Sequence, residues 1–251
     1  MNLMEFFREH GKVALGFSGG VDSSYLLYIA KRLGARVLPV FVRTPFQPAF
    51  ELEDARKVAE TVGVELKVVE MDVLDCQEIA SNPPDRCYHC KRRIFGRIKE
   101  EAQAAGFPVL IDGTNASDEA DDRPGMKALE ELGVLSPLRL CGLTKPAIRK
   151  LVEDAGLPVW HKPAYACLAT RIETGERITA ETLRRVEEAE AVLRKMGFSD
   201  LRVRKRGENA HIELPENELP AALYQRKKIL AGLRPYFDKV LLDLEGRKGS
   251  E

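Results

Sequence analysis

Short apolar runs alternate with amphipathic stretches through the first two thirds of the chain. Val13-Ala14-Leu15-Gly16-Phe17, Val37-Leu38-Pro39-Val40-Phe41-Val42, Leu66-Lys67-Val68-Val69 and Val109-Leu110-Ile111-Asp112 are too short for helices, which predicts four buried strands. Between them, Tyr25 to Ala30, Glu51 to Val62 and Lys91 to Ala105 read as helices. In the second of these, Leu52, Ala55, Val58, Ala59 and Val62 share one helical face. Strand–helix alternation predicts an α/β fold with a parallel sheet covered on both faces. Lys145 to Ala155 reads as a short helix closed by Gly156 and Pro158.

Past about residue 175 the pattern changes. Ala180 to Met196 reads as a long helix closed by Gly197. Leu201 to Arg206 and His211 to Leu214 read as a strand pair around Gly207, followed by a helix near Glu218 to Leu233 and a strand from Val240 to Leu244. This predicts two domains: a nucleotide-handling α/β domain over 1–174 and a small α+β domain over 175–251 for substrate binding or oligomerisation. The chain is read as a homo-oligomer.

Composition narrows the function classes. Hydrophobic residues make up 44% of 251, enough for a sizeable core, and Lys+Arg and Asp+Glu both number 39. A nucleic-acid binder usually carries a basic excess, so zero net charge argues against a large RNA substrate. The first ten residues include Glu5, Arg8 and Glu9, unlike a signal peptide, and no apolar run is long enough to span a bilayer. Five cysteines without an export signal fit reduced thiols in the cytoplasm.

The first apolar run leads into Ser18-Gly19-Gly20-Val21-Asp22-Ser23-Ser24, and a helical pattern follows. Glycines permit a tight turn and close approach to an anion. Hydroxyls and unpaired amides at a helix N-terminus favour phosphate oxygens. The loop lacks the Gly-Lys-Ser/Thr ending of a Walker A motif and any Gly-x-Gly-x-x-Gly. It resembles the PP-loop of ATP pyrophosphatases, which implies ATP as cosubstrate and Asp22 as a catalytic group. Ligands of parallel sheets sit beyond the carboxyl ends of strands. Arg43 and Gly113, at two such ends, join the loop as candidate ATP contacts. Asp118, Glu119, Asp121, Asp122 and Arg123 suit either a Mg²⁺ site or a solvated charge run.

Cys87, Cys90 and Cys167 are the next candidate chemistry. A lone Cys-x-x-Cys is open to redox, half-zinc or core readings. With the third thiol, the set suits a four-iron, four-sulfur cluster with one iron open to an external ligand. The sequence places all three in loops at the sheet edge of the PP-loop. Cys76 and Cys141 read as small core or surface residues. Arg202, Arg204 and Arg206 alternate along one strand face and, with Arg171, suit a phosphate monoester or form an exposed basic strand. Glu190 and Glu213 read as a divalent-cation pair or as solvated carboxylates.

Together the PP-loop, Asn82–Lys91 (NPPDRCYHCK), Asp112–Asn115 (DGTN), Asp121–Gly125 (DDRPG), Lys162–Arg171 (KPAYACLATR) and His211–Pro215 (HIELP) resemble the LarE family over nearly the whole chain. That resemblance implies an ATP-dependent sulfurtransferase acting on pyridinium-3,5-biscarboxylic acid mononucleotide, a small-molecule substrate. The product is a thiocarboxylate for the nickel-pincer cofactor of lactate racemase. It implies Arg171, Arg202 and Arg204 at the substrate phosphate, Cys167 as a catalytic thiol, sulfide or another sulfur donor, and a carboxylate metal site at Glu190 and Glu213. Members with one relevant cysteine surrender its sulfur. Three cysteines here imply a reusable cluster instead. A PP-loop tRNA thiolase and a non-catalytic ATP-binding module with structural zinc are the alternatives.

Overall fold

The computed structural model describes residues 1–118 and 123–247. Its helices in chain order are α1 (Leu3–Glu9), α2 (Val21–Arg32), α3 (Ala49–Val62), α4 (Gln77–Ala80), α5 (Arg86–Ala104), α6 (Arg123–Glu131), α7 (Pro137–Leu140), α8 (Lys145–Asp154), α9 (Ala180–Lys195), α10 (Leu219–Tyr224) and α11 (Arg226–Leu233). The strands are β1 (Lys12–Gly16), β2 (Arg36–Arg43), β3 (Lys67–Glu70), β4 (Val109–Ile111), β5 (Arg202–Arg206), β6 (Asn209–Glu213) and β7 (Lys239–Leu242).

The chain forms two compact units. The first comprises Met1–Thr44, Ala49–Val73 and Asp85–Lys162; the second comprises Pro45–Pro48, Leu74–Pro84 and the chain from Pro163 onward. The second unit thus begins ahead of the change in pattern near residue 175. The irregular segment from Pro163 is hydrogen-bonded to side chains of Arg171 and Arg202, and Asn82 Nδ2 donates to the carbonyl of Glu173 at 2.8 Å. Short-range hydropathy carries no trace of such long-range polar ties.

In the first unit the sheet is wholly parallel with order β3-β2-β1-β4. Alternation along β1 sends Val13 and Leu15 to a core with α1, α2, α3 and α8, while Ala14 faces Ile98 and Ala102 of α5. A strand buried on both faces must be apolar at every position, which is why these runs show no polar alternation. Pro39 of β2 sits opposite Leu15 of β1, and β3 pairs β2 only from Val40 onward. In the second unit β5 and β6 run antiparallel and β7 adds parallel to β6. Alongside them lies α9, whose N-terminus is closed by Thr179 accepting from the Thr182 amide at 3.1 Å.

Helix α5 begins at Arg86, earlier than the apolar pattern marks. Cys87 and Cys90 are therefore helical, one turn apart in its opening residues, rather than in a preceding loop. Glu119, Asp121 and Asp122 of the acidic segment lie outside the described residues. Among the described residues no helix is long and apolar enough to cross a membrane.

Candidate functional site

The first unit builds its site where β1 and β4 end side by side. Gly19 has φ +67°, and a Cβ there would stand 2.8 Å from the backbone of Ala55 in α3. Both the left-handed turn and the close helix demand glycine. Gly20 caps α2 with no side-chain hydrogen bond, so the first amides of this twelve-residue helix are left for a ligand. The loop is braced from within: the hydroxyls of Ser18 and Ser23 lie 3.1 Å apart, and the Gly20 amide donates to Ser18 Oγ at 3.3 Å. Gly113, just past β4, comes so near that its Cβ would stand 3.0 Å from the Ser23 amide nitrogen. Its backbone therefore forms a wall of the PP-loop site.

Three polar atoms of this region are buried without a hydrogen-bond partner among the described residues: Asp22 Oδ1, Ser24 Oγ and Asn115 Nδ2. Unsatisfied buried polar groups are costly, and several at one strand end point to a polar ligand. The second carboxylate oxygen of Asp22 pairs with Lys145 Nζ. Burial pushes the Asp22 pKa above its ordinary value, and Lys145 opposes that push. Lys145 opens α8, where a cation runs against the helix dipole. That misplaced charge was the available signal for a residue that pattern reading missed. Asp112 accepts from Ser136 Oγ at 2.6 Å and from Thr114 Oγ1, so it orders the strand end. Arg43 ends β2 and pairs with Glu70 at 3.3 Å on the surface.

The second unit gathers a different set. Glu190 is fully buried and accepts from Arg171 Nε at 2.7 Å, Tyr165 Oη at 2.6 Å, Arg194 Nη2 at 3.0 Å and the Val203 amide at 3.1 Å. Burial alone would raise its pKa, but Arg171 and these hydrogen bonds hold it below the ordinary glutamate value. The guanidiniums of Arg171, Arg202 and Arg194 lie 4.7, 5.1 and 5.2 Å from the centre of the Tyr165 ring. Burial, with Arg171 and Arg247 nearby, brings the Arg202 pKa down to about 10, so it stays charged at neutral pH. Glu213 pairs with Arg204 and, at 3.4 Å, with Arg247.

The cation pair expected at Glu190 and Glu213 does not fit this arrangement. Both carboxylates are committed to arginines, and a metal ion would have to displace guanidinium partners. Removing one partner of a buried ion pair costs about 3–5 kcal/mol. Arg194 was legible in principle as the i+4 partner of Glu190. Arg247 had no such signal, being joined to the cluster only by the fold.

None of the five cysteines is in a disulfide. Cys87 and Cys90 share one face at the opening of α5 in the first unit. Cys167 precedes the 3₁₀ turn Leu168–Arg171 in the second. As soft donors three thiolates suit iron–sulfur ligation. Among the described residues no group of three or more His, Cys, Asp or Glu side chains is gathered as a metal site.

Comparison with known proteins bears on both units. The family model described as queuosine biosynthesis protein QueC matches residues 12–82, which contain the PP-loop. An uncharacterized protein of Synechocystis is 37% identical over 87% of this chain and 82% of its own length. Another, from Methanocaldococcus jannaschii, is 32% identical over 97% and 93%. The pyridinium-3,5-bisthiocarboxylic acid mononucleotide synthase of Lactiplantibacillus plantarum is 32% identical over 97% of this chain and 90% of its own.

The chain belongs to the LarE family. As a LarE-family protein it is an ATP-dependent sulfurtransferase of the PP-loop superfamily. LarE membership spans both units, so the arginine cluster is as much a part of the match as the PP-loop.

Proposed function

We propose that this protein adenylylates a carboxylate of pyridinium-3,5-biscarboxylic acid mononucleotide and converts it to a thiocarboxylate, toward the nickel-pincer cofactor of lactate racemase. The observation that carries this reading is the match, along 97% of the chain, to a synthase named for the bisthiocarboxylic acid product. A substrate carboxylate oxygen attacks the α-phosphorus of ATP, the Pα–O–Pβ bond breaks and pyrophosphate leaves. A sulfur nucleophile then attacks the activated carbon, and AMP departs with the carboxylate oxygen. A second ATP repeats the sequence on the other carboxylate.

The PP-loop amides and Ser23 and Ser24 hold the pyrophosphate portion, with Gly113 closing one side. Mg²⁺ suits the unpartnered Asp22 Oδ1, since it binds through one or two carboxylates plus phosphate oxygens. Lys145 balances the Asp22 charge. In the second unit, the guanidiniums of Arg171, Arg194, Arg202, Arg204 and Arg247 stand against the carboxylates of Glu190, Asp200 and Glu213. Five cations against three anions supports an anionic guest, the substrate phosphate, and Arg171 Nη2 and Arg247 Nε are buried without hydrogen-bond partners among the described residues. Cys87, Cys90 and Cys167 would hold an iron–sulfur cluster, which when bound would supply an open iron for a hydrosulfide.

The test is an anaerobic incubation with ATP, Mg²⁺, sulfide and the mononucleotide, followed by mass spectrometry. Pyrophosphate, AMP and a thiocarboxylate are expected, and a protein that ignores the mononucleotide but shifts and thiolates tRNA would overturn the reading. Arg204→Ala should weaken mononucleotide binding by roughly ten- to a hundredfold, as expected from losing one charged hydrogen bond, while the KM for ATP stays put. An equal loss for both would remove Arg204 from the phosphate.

A pH dependence follows from Asp22. Ionised Asp22 is the active form, so pyrophosphate release should fall on the acid side with an inflection above the ordinary 3.8. Lys145 favours the ionised form, so in Lys145→Met that inflection should move to still higher pH. A profile of kcat/KM against pH in both proteins measures it, and an unmoved inflection would uncouple Lys145 from Asp22.

A further inference from the structure

The arginines that sequence reading assigns to a phosphate are, in this structure, bonded to one stretch of main chain. Arg202 Nη2 donates to the carbonyl of Ala164 at 2.7 Å. Arg171 Nη1 donates to the carbonyl of Ala166 at 3.0 Å, and more weakly to that of Cys167 at 3.4 Å. Arg204 Nη1 donates to the carbonyl of Thr170 at 2.8 Å. The segment up to Cys167 has no regular secondary structure, so its carbonyls have no ladder to satisfy them. Guanidinium forks take that role.

One of those forks, that of Arg171, ends on a carboxylate that also holds a side chain of the segment itself. Glu190 takes Arg171 Nε on one oxygen and Tyr165 Oη on the other, and Tyr165 itself belongs to the cysteine segment. The same oxygen that binds Arg171 also accepts from the Val203 amide, which fixes β5 and therefore Arg202 and Arg204. Arg171 and Glu190 are both wholly buried, and a buried charge holds its geometry because leaving its partner is costly.

We infer that Glu190 is the positioning residue of the Cys167 segment, acting through Arg171 and Tyr165 to set where the Cys167 backbone lies. Glu190 touches neither substrate nor sulfur in this role. A sulfur-transfer step needs its reacting atoms in near-attack geometry, and a displacement of about 1 Å costs on the order of a hundredfold in rate. The catalytic consequence rests on the proposed sulfurtransferase chemistry at Cys167; the structural statement does not.

Hydrogen exchange of the full chain, read by mass spectrometry on peptides covering 164–171, tests the structural statement directly. Among the amides that report there, Leu168 donates to the carbonyl of Phe46 at 2.9 Å and Thr170 to that of Cys167 at 3.0 Å. Glu190→Gln should speed their exchange at least tenfold and loosen the Val203 amide with them, with α11, β6 and β7 near wild type. Arg171→Lys keeps a cation for Glu190 but loses the fork, and should loosen the same peptides. Glu188→Gln, the same change at a surface pair with Arg184 on α9, should leave them unchanged. Unaltered exchange in both Glu190→Gln and Arg171→Lys overturns the inference. So does exchange raised evenly across the unit, which would make Glu190 an ordinary core contact.

Kinetics of the same variants separate the two layers. In Glu190→Gln, thiocarboxylate formation should lose kcat by ten- to a hundredfold with the KM for the mononucleotide held, and pyrophosphate release should persist, whereas Glu188→Gln should keep the wild-type rate. If wild-type protein forms no thiocarboxylate while the exchange results hold, the proposed function fails and the positioning role stands.

Discussion

Asp22→Ala should lower substrate-dependent pyrophosphate release by about 10²–10³, the usual consequence of removing one preorganised charge-stabilising group. Two features set that expectation. One carboxylate oxygen of Asp22 has no hydrogen-bond partner among the described residues and the other is held by Lys145, so the side chain is oriented before any ligand arrives. Its loss also strands the Lys145 cation at the phosphate site. ATP binding should survive better than turnover, because the amides of α2 and the Ser18–Ser23 brace remain. Pyrophosphate release by Asp22→Ala at the wild-type rate would exclude this aspartate from the chemistry.

Cys167→Ala should abolish thiocarboxylate formation while pyrophosphate release continues, since activation uses phosphate and carboxylate contacts alone. Cys87→Ala and Cys90→Ala divide the sulfur routes. If the three thiols hold a cluster, each of these variants also loses iron, acid-labile sulfide and sulfur transfer together. If Cys167 gives up its own sulfur, both variants keep one turnover, and Cys167 of the reacted wild-type protein is lighter by one H₂S. Iron analysis after anaerobic purification and intact-mass measurement after turnover read the two patterns. Bound zinc in place of iron, with Cys167→Ala fully active, would assign the thiols a structural role.

The parts of this molecule that were legible in the sequence are those written locally. Runs such as Val13–Phe17 announce buried parallel strands, and the PP-loop announces itself by its glycines and hydroxyls in chain order. Gly207 marks the β5–β6 turn with φ +56°. What escaped was written in three dimensions. Glu190 looks like a solvated glutamate until α9 packs it against Arg171 and Tyr165, and its neighbours there are 19 and 25 positions away. Lys145 lies 123 positions from Asp22. The start of α5 escaped for another reason: Arg86 to Lys91 carry little apolar periodicity, and the prolines at 83 and 84 masked a helix beginning just beyond them.

Pro39 has a consequence for how this chain behaves before it is fully folded. Phe17 donates to the carbonyl of Val40, so Val40 faces β1, and its neighbour Pro39 faces the opposite side of β2. On that side β3 has not yet begun, which leaves Arg36 to Pro39 as a short open margin of an otherwise sticky, β-branched strand. A residue there with an amide hydrogen would invite another chain to continue the sheet. Pro39 has none to offer, which leaves Val37 as the one outward amide of the margin, and a charged arginine stands at the end of it. During synthesis, when nascent copies crowd one another, that combination acts as a gatekeeper against intermolecular strand addition.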